Sequence, residues 1–443
     1  QEETLEELGG VQYLGELTAN ALTIIDPLHY GRLVHDLYLR RALIGIGEDG
    51  IDGLSQSART ALNASAIVYG GPRHLEMLAD ESPRDLIVWS KDLGADLERM
   101  AALAADQSVT VLASGDPMLH GIGVRIVERF GIDNVHIIPS SSAFSLAAAR
   151  MGWPLGDPMV KCISVHALPF ESVLRMVQPN VRLLILSRDK ETPGRLAKQL
   201  VEVGYGGSRM CVLERMGGAH ERKTVSHATH GFDEPFDNLN TIAVTCIPDA
   251  GLRPLSVAPG LPDDAFEHDN TITKQEVRAI TLAALAPQPG EVLWDVGAGN
   301  GTIAIEWLRA EPAAFAIAFE EKSERIERIH TNAKRLGTPT LQVIKGHFPP
   351  NVDGFEPSPD TIFVGGGIAD NDDLLKYCMT ALSVGGRLVA NAVTLQAQAA
   401  LTAAHAKWGG ELVTIAIARA AGVGPHQAMK PSIEVLQWRG RKE

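Results

Sequence analysis

Seven residues constrain this chain more than any others: Asp295-Val296-Gly297-Ala298-Gly299-Asn300-Gly301. They follow an apolar run, Val292-Leu293-Trp294, and precede a helical pattern over 302–310. A buried strand that turns sharply into a helix is the opening unit of a doubly wound sheet. Glycine at alternate positions lets the backbone turn tightly and lets a ligand approach it closely. The helix start beyond leaves N–H groups free. The spacing is G-x-G-x-G, whereas dinucleotide folds seat a pyrophosphate with G-x-G-x-x-G, so a nicotinamide enzyme is disfavoured.

The same alternation runs along most of the chain. Between Arg41 and about Pro248, the runs ALIGIG, AIVYGG, LIVW, VTVLASG, VHIIPS, CISVHA, RLLILS, MCVLER and TIAVTCI read as buried strands. Residues 121–130 and 142–150 read as helices between them. A proline- and acid-rich stretch follows, and 249–269 is taken as a linker. The pattern then restarts: a helix in ITKQEVRAITLAALA, a strand in EVLWDV, and further strands in AFAIAFE, LQVIKG, TIFVGGG and GRLVANAV. The expected fold class is α/β, with one domain at 41–248 and a second at 270–443. Residues 1–40 read as an N-terminal extension with no assigned role.

Composition narrows the class. A length of 443 residues suits two or three domains of roughly 100–200 residues. No apolar run approaches the ~18 residues needed to span a membrane, and the acidic start does not read as a secretory signal. A cytoplasmic location and no membrane partner are expected. The net charge of −14 argues against a nucleic-acid partner, which is normally held by neutralising phosphates with Lys and Arg. Cys162, Cys211, Cys246 and Cys378 show no metal-ligand spacing. They are expected to be buried reduced thiols, and no metal is expected.

The glycine turn and the acid before it resemble the S-adenosylmethionine (SAM) loop of Rossmann-like methyltransferases. That resemblance implies that Asp295, Gly297, Ala298, Gly299, Asn300 and Gly301 wrap the amino-acid part of SAM. It also implies that Glu320, ending the next strand, holds the ribose hydroxyls.

Three loops in the first half carry a second resemblance. Gly45-Ile46-Gly47-Glu48-Asp49-Gly50, Ser114-Gly115-Asp116-Pro117 and Pro139-Ser140-Ser141-Ser142-Ala143 each follow a predicted strand. Open α/β sheets bind ligands at such strand ends. In this order the loops resemble the tetrapyrrole methylase family, whose fold is two α/β lobes with SAM in the cleft. The resemblance places Ser114, Gly115, Asp116, Leu119, Ser142 and Ala143 at the cofactor. Cys211-Val212-Leu213-Glu214-Arg215 matches its later strand ending in an acid. Glu48 and Asp49 depart from the family's usual proline and glycine, in a loop that faces substrate. His120 is a candidate substrate-facing residue.

Taken whole, residues 41–443 resemble the fused precorrin-6B C5,15-methyltransferases (decarboxylating) of cobalamin biosynthesis. Thr273-Lys274-Gln275-Glu276-Val277-Arg278, Ile305-Glu306-Trp307, Phe363-Val364-Gly365-Gly366-Gly367 and Val389-Ala390-Asn391-Ala392-Val393 carry this likeness. His347-Phe348-Pro349 departs from it, and Phe348 is expected to narrow the adenine pocket. The resemblance implies one SAM per half and methylation of C5 and C15 of precorrin-6B. It further implies loss of carbon dioxide from the C12 acetate, giving precorrin-8. Thr273 then belongs with the cofactor. Lys274, Arg278 and Asn391 are the candidate groups for the substrate's carboxylates. A homo-oligomer is expected. The alternative is a two-domain SAM-dependent methyltransferase for another tetrapyrrole, for RNA or for protein.

Overall fold

The computed structural model describes residues 41–78, 84–233, 235–349, 356–371 and 373–443. The expected N-terminal extension lies outside the described residues.

Among the described residues, three large sheets and a two-stranded hairpin organise the chain. The first contains β1 (Arg41–Ile46), β2 (Ile67–Gly70), β3 (Asp85–Val88), β4 (Val109–Ser114) and β5 (His136–Ile138), in the order β3-β2-β4-β1-β5. Every pairing in it is parallel. Parallel sheets are covered on both faces, so their central strands are apolar throughout. Ala42, Ile44 and Ile46 accordingly enter one core and Leu43 enters the other.

The second sheet has the order β6-β7-β10-β8-β9. Its strands are β6 (Val160–Ser164), β7 (Arg182–Leu186), β8 (Arg209–Glu214), β9 (Arg222–His227) and β10 (Asn240–Thr245). Sequence reasoning missed β9 because it is a polar edge strand, and edges are kept charged to discourage pairing. Position also corrects one cysteine. Cys211, Cys246 and Cys378 are buried, but Cys162 is exposed, because β6 lies at the other edge.

The third sheet contains β11 (Val292–Val296), β12 (Phe315–Glu320), β13 (Gln342–Lys345), β14 (Thr361–Val364), β15 (Arg387–Ala392) and β16 (Glu411–Ile415). A hairpin of β17 (Ala418–Val423) and β18 (His426–Pro431) then leads to β19 (Val435–Arg441). The order is β13-β12-β11-β14-β15-β19-β16, parallel except where β19 inserts antiparallel between β15 and β16. Strand order reverses at β11. That switch point opens a crevice at the carboxyl end of β11, where the glycine turn begins.

Helices cover both faces of this sheet. Trp294, Ile362 and Leu388 anchor one core; Leu293, Trp307 and Val389 anchor the other. Leu261 and Phe266, from the stretch 249–269, pack into the second of these cores with Leu282. The described residues fall into two compact units. One holds the first sheet with Cys211–Thr224 and residues 235–243. The other holds Pro158–Met210, Val225–Asp233 and Val244–Glu443.

Candidate active site

The turn after β11 is built as its sequence requires. Gly297, Gly299 and Gly301 have φ of +69°, +60° and +78°, which side chains with a Cβ rarely adopt. Gly301 leads into the helix Thr302–Ala310. Glu320, at the end of β12, reaches across to the turn. Its Oε2 accepts from the Gly299 N–H at 2.8 Å, and its Oε1 accepts from Glu321 N and Lys322 N.

Asp295 sits beneath the turn, 1% exposed. Its Oδ2 accepts from Ala304 N at 3.1 Å, and its Oδ1 has no partner among the described residues. Burial, reinforced by the nearby Glu320 charge, pushes its carboxyl up to about 7. Asn300 is buried as well. Its amide nitrogen donates to Thr271 O and to Asp269 Oδ1. Burial alone would raise the Asp269 carboxyl, but Arg325, Asn300 and the Thr271 N–H hold it well below the usual range.

Gly297, Gly299, Asn300 and Glu320 open into a cavity of about 900 Å³, which Asp295 and Gly301 do not line. Thr273, Lys274, Gly297, Ala298, Gly299, Asn300, Glu320, Phe348 and Asn391 all line it. Phe348 is mostly buried, packed edge-on against Trp294, Phe319 and Tyr377, so it forms a wall of the cavity. The far side is made by Ile415, Ile417, Arg419 and Ile433, from β16 and around the hairpin. Nothing in the local pattern of that late segment marked it as part of a site; it is brought there by the insertion of β19.

One sequence assignment is overturned. Arg278 does not face the cavity. It is fully buried and donates to Glu306 Oε1 at 2.6 Å, to Asp263 Oδ1 at 3.1 Å and to the carbonyls of Thr273 and Leu261. Glu306 also accepts from Gly260 N and Leu261 N. Arg278 therefore ties the segment before the helix Gln275–Leu285 to the helix Thr302–Ala310. The reason is helical geometry, since its place in Gln275–Leu285 points it inward. Lys274 occupies the N-cap position of that helix without a side-chain capping bond, with Nζ 3.8 Å from Asp263 and its side chain 45% exposed. Asn391 Nδ2 donates to Thr281 Oγ1, and its Oδ1 accepts from Gln437 Nε2.

In the first sheet the three loops come together. Gly115 N donates to Ile46 O, and Ser140 N donates to Gly115 O. A Cβ on Gly45 would lie 1.8 Å from Gly115 O, so only glycine allows this crossing. Asp116 folds back to accept from Met118 N, an Asx turn that shapes its own loop. Ser142 caps the helix Ala143–Met151, its Oγ accepting from Ser145 N. Leu119 and His120 are exposed, and the His120 ring stands 6.1 Å from Phe144. Ser114 Oγ meets Arg73 Nη2 at 2.8 Å and His74 Nε2 at 2.9 Å. Sequence reasoning did not pick out Arg73 and His74. Their signal was position alone, just past Gly70, which ends β2, and the Gly71-Pro72 step that follows it.

Comparison with known proteins covers both halves. Residues 42–230 match the model for tetrapyrrole (corrin/porphyrin) methylases, and 264–442 match a precorrin methyltransferase domain. A precorrin-6Y C(5,15)-methyltransferase [decarboxylating] from Sinorhizobium sp is 43% identical over 396 residues, 89% of this chain and 95% of its own. The chain belongs to that family. Two shorter relatives act at single positions by name. A cobalt-precorrin-7 C(5)-methyltransferase from Salmonella typhimurium is 31% identical, over 41% of this chain and 87% of its own. A protein named "Probable cobalt-precorrin-6B C(15)-methyltransferase (decarboxylating)" from Saccharolobus solfataricus is 32% identical, over 32% of this chain and 72% of its own.

A C(5,15)-methyltransferase family implies SAM as methyl donor. The second-half residues fit that group. The Glu320 carboxylate lines the cavity and suits a pair of ribose hydroxyls, and the unpartnered Asp295 Oδ1 is a spare acceptor buried beneath the turn. The glycine turn leaves the space above Gly299 open, since a Cβ there would meet nothing within 4 Å. Among the described residues no cluster could hold a metal, and no helix is long and apolar enough to cross a membrane.

Proposed function

We propose that this chain binds one SAM in each half and methylates C5 and C15 of precorrin-6B while removing the C12 acetate carboxyl as carbon dioxide. In this reading residues 41–248 methylate C5, and residues 270–443 decarboxylate and methylate C15. The products are precorrin-8 and two S-adenosylhomocysteines (SAH). The single observation that carries it is the cavity of about 900 Å³ at the β11 switch point. The glycine turn and Glu320 line it together with groups suited to a second, acidic molecule. Separate C(5) and C(15) names among the shorter relatives support two reactions on one chain.

The chemistry asks little of side chains. Meso carbons of a reduced tetrapyrrole have enamine character and are nucleophilic, and bound SAM supplies an activated methyl group. The protein's task is to hold carbon, methyl and sulfur in line and exclude water, which can supply roughly 7–11 kcal/mol of the barrier. Asp295, Gly297, Ala298, Gly299, Asn300, Gly301, Glu320, Thr273 and Phe348 hold the donor in the second half. Ser114, Gly115, Asp116, Leu119, Ser142 and Ala143 hold it in the first, with His120 toward substrate. Lys274 orients a substrate carboxylate, and Arg419, ion-paired with Glu276, lines the same cavity. Asn391, fixed by Gln437 and Thr281, presents an oriented amide. Decarboxylation leaves an electron pair that the conjugated imines of the ring accept.

The acidic balance favours a small-molecule substrate over nucleic acid. A cytoplasmic homo-oligomer completes the reading. Val423 and Met429, exposed on the hairpin, offer an apolar surface for a second copy. Incubation with precorrin-6B and methyl-labelled SAM, followed by mass analysis, tests the reaction. Two labels gained and one carbon dioxide lost are expected. A product with unchanged ring carbons would overturn the proposal. Light scattering of the same sample checks the oligomer.

A further inference from the structure

We propose that Glu48 is a positioning residue in the first half, gathering Arg73 and Arg215 into a paired seat for a carboxylate arm of the tetrapyrrole. This rests on the reading above that the first half takes that substrate.

All the groups involved stand at carboxyl ends of strands. Glu48 follows β1, Arg73 follows β2, Ser114 ends β4 and Arg215 follows β8. The Glu48 side chain is only 9% exposed. A charge placed so deeply is costly unless paired. Arg73 Nη1 donates to its Oε1, and Arg215 Nη1 donates to its Oε2 at 3.4 Å. The backbone is arranged to permit this. A Cβ on Gly218 would lie 2.8 Å from Glu48 Cβ, and Arg215 itself holds a φ of +45°, a strained conformation for a non-glycine residue. Asp49 behaves differently. Its carboxyl folds over Gly47 and Gly53 and belongs to the loop.

Each guanidinium has a second anchor. Arg73 Nη2 donates to Ser114 Oγ at 2.8 Å, and Arg215 Nε donates to Asp237 Oδ2 at 2.8 Å. Arg73 Nη2 also lies 3.1 Å from His74 Nε2. A guanidinium only donates, so that ring nitrogen accepts and His74 is neutral. Burial and the Arg73 charge push its pKa down to about 4, in agreement. The two arginines are thus held from behind. Arg73 Nε and Arg215 Nη2 have no protein partner among the described residues, and both side chains remain about one-third exposed. Two fixed guanidiniums with free N–H groups match the planar demand of a carboxylate.

The test uses the full chain with precorrin-6B, reading C5 methylation kinetics and SAH binding by calorimetry. Glu48→Gln keeps the shape and removes the charge that gathers the arginines. It is expected to raise KM roughly tenfold or more, the size of a charged hydrogen bond lost. Expected alongside are a nearly unchanged kcat and unchanged SAH affinity. Arg215→Lys, at a partly exposed site, should show the same split if the Glu48 variant fails to fold. Unchanged KM in both variants with SAH binding intact overturns the inference and leaves the first-half reading standing. A wild-type chain that binds SAH only in its second half and leaves C5 unmethylated overturns both.

Discussion

Glu320 and Asp295 stand in the last two positions of neighbouring parallel strands, yet Glu320 accepts three backbone N–H groups and Asp295 accepts one. The first carboxylate has both oxygens hydrogen-bonded. The second is buried with one oxygen unpartnered, and burial holds its proton more tightly than water would.

That difference sets a pH dependence. The Asp295 pKa rises from an ordinary 3.8 when unfolded to about 7 when folded. The folded state therefore binds the extra proton, and stability falls as pH rises between these values. Asp295→Asn cannot titrate. Its stability relative to wild type should improve steadily across that window and be constant on either side. Hydrogen exchange of the β11 amides against pH measures this for the domain concerned. A pH-independent difference would refute the assignment.

Glu320→Ala removes the acceptor nearest the glycine turn. Loss of charged hydrogen bonds worth about 1.5–3 kcal/mol should weaken SAH binding in the second half roughly 10–100-fold. First-half binding should be unchanged, so calorimetry on the intact chain should lose one of two phases.

Arg278→Ala should act on stability. It leaves Glu306 buried without its cation, a defect of about 3–5 kcal/mol. Lys274→Ala should do the opposite, raising substrate KM with little change in the unfolding transition. Denaturant titration and steady-state kinetics on both variants separate the two roles.

Gly45→Ala should disable C5 methylation while leaving C15 methylation and decarboxylation intact. The added methyl group would collide with Gly115 O, forcing apart loops whose repacking costs about 1–3 kcal/mol. Position-specific label analysis of the product reads out both sites in one reaction.

Much of this was legible in the chain because its physics is local. Central strands such as Ile67–Gly70 and Val292–Val296 announce themselves by apolar runs ended with glycine turns. Asp295 and Glu320 follow from strand ends. What escaped was long-range. The edge strand Arg222–His227 carries no apolar run, and the partnership of Arg278 with Glu306 joins residues 28 apart across two helices. Arg73 and Arg215 meet at Glu48 only because strand order brings distant loops together.

The insertion of β19 has a consequence for how the chain is made. β16 touches the sheet only through β19, so a nascent polypeptide emerging from the ribosome exposes β16 before its bridging strand exists. The hairpin must be synthesised first. During that interval the growing edge at β15 stands open, and a chaperone or a neighbouring polysome product could compete for it.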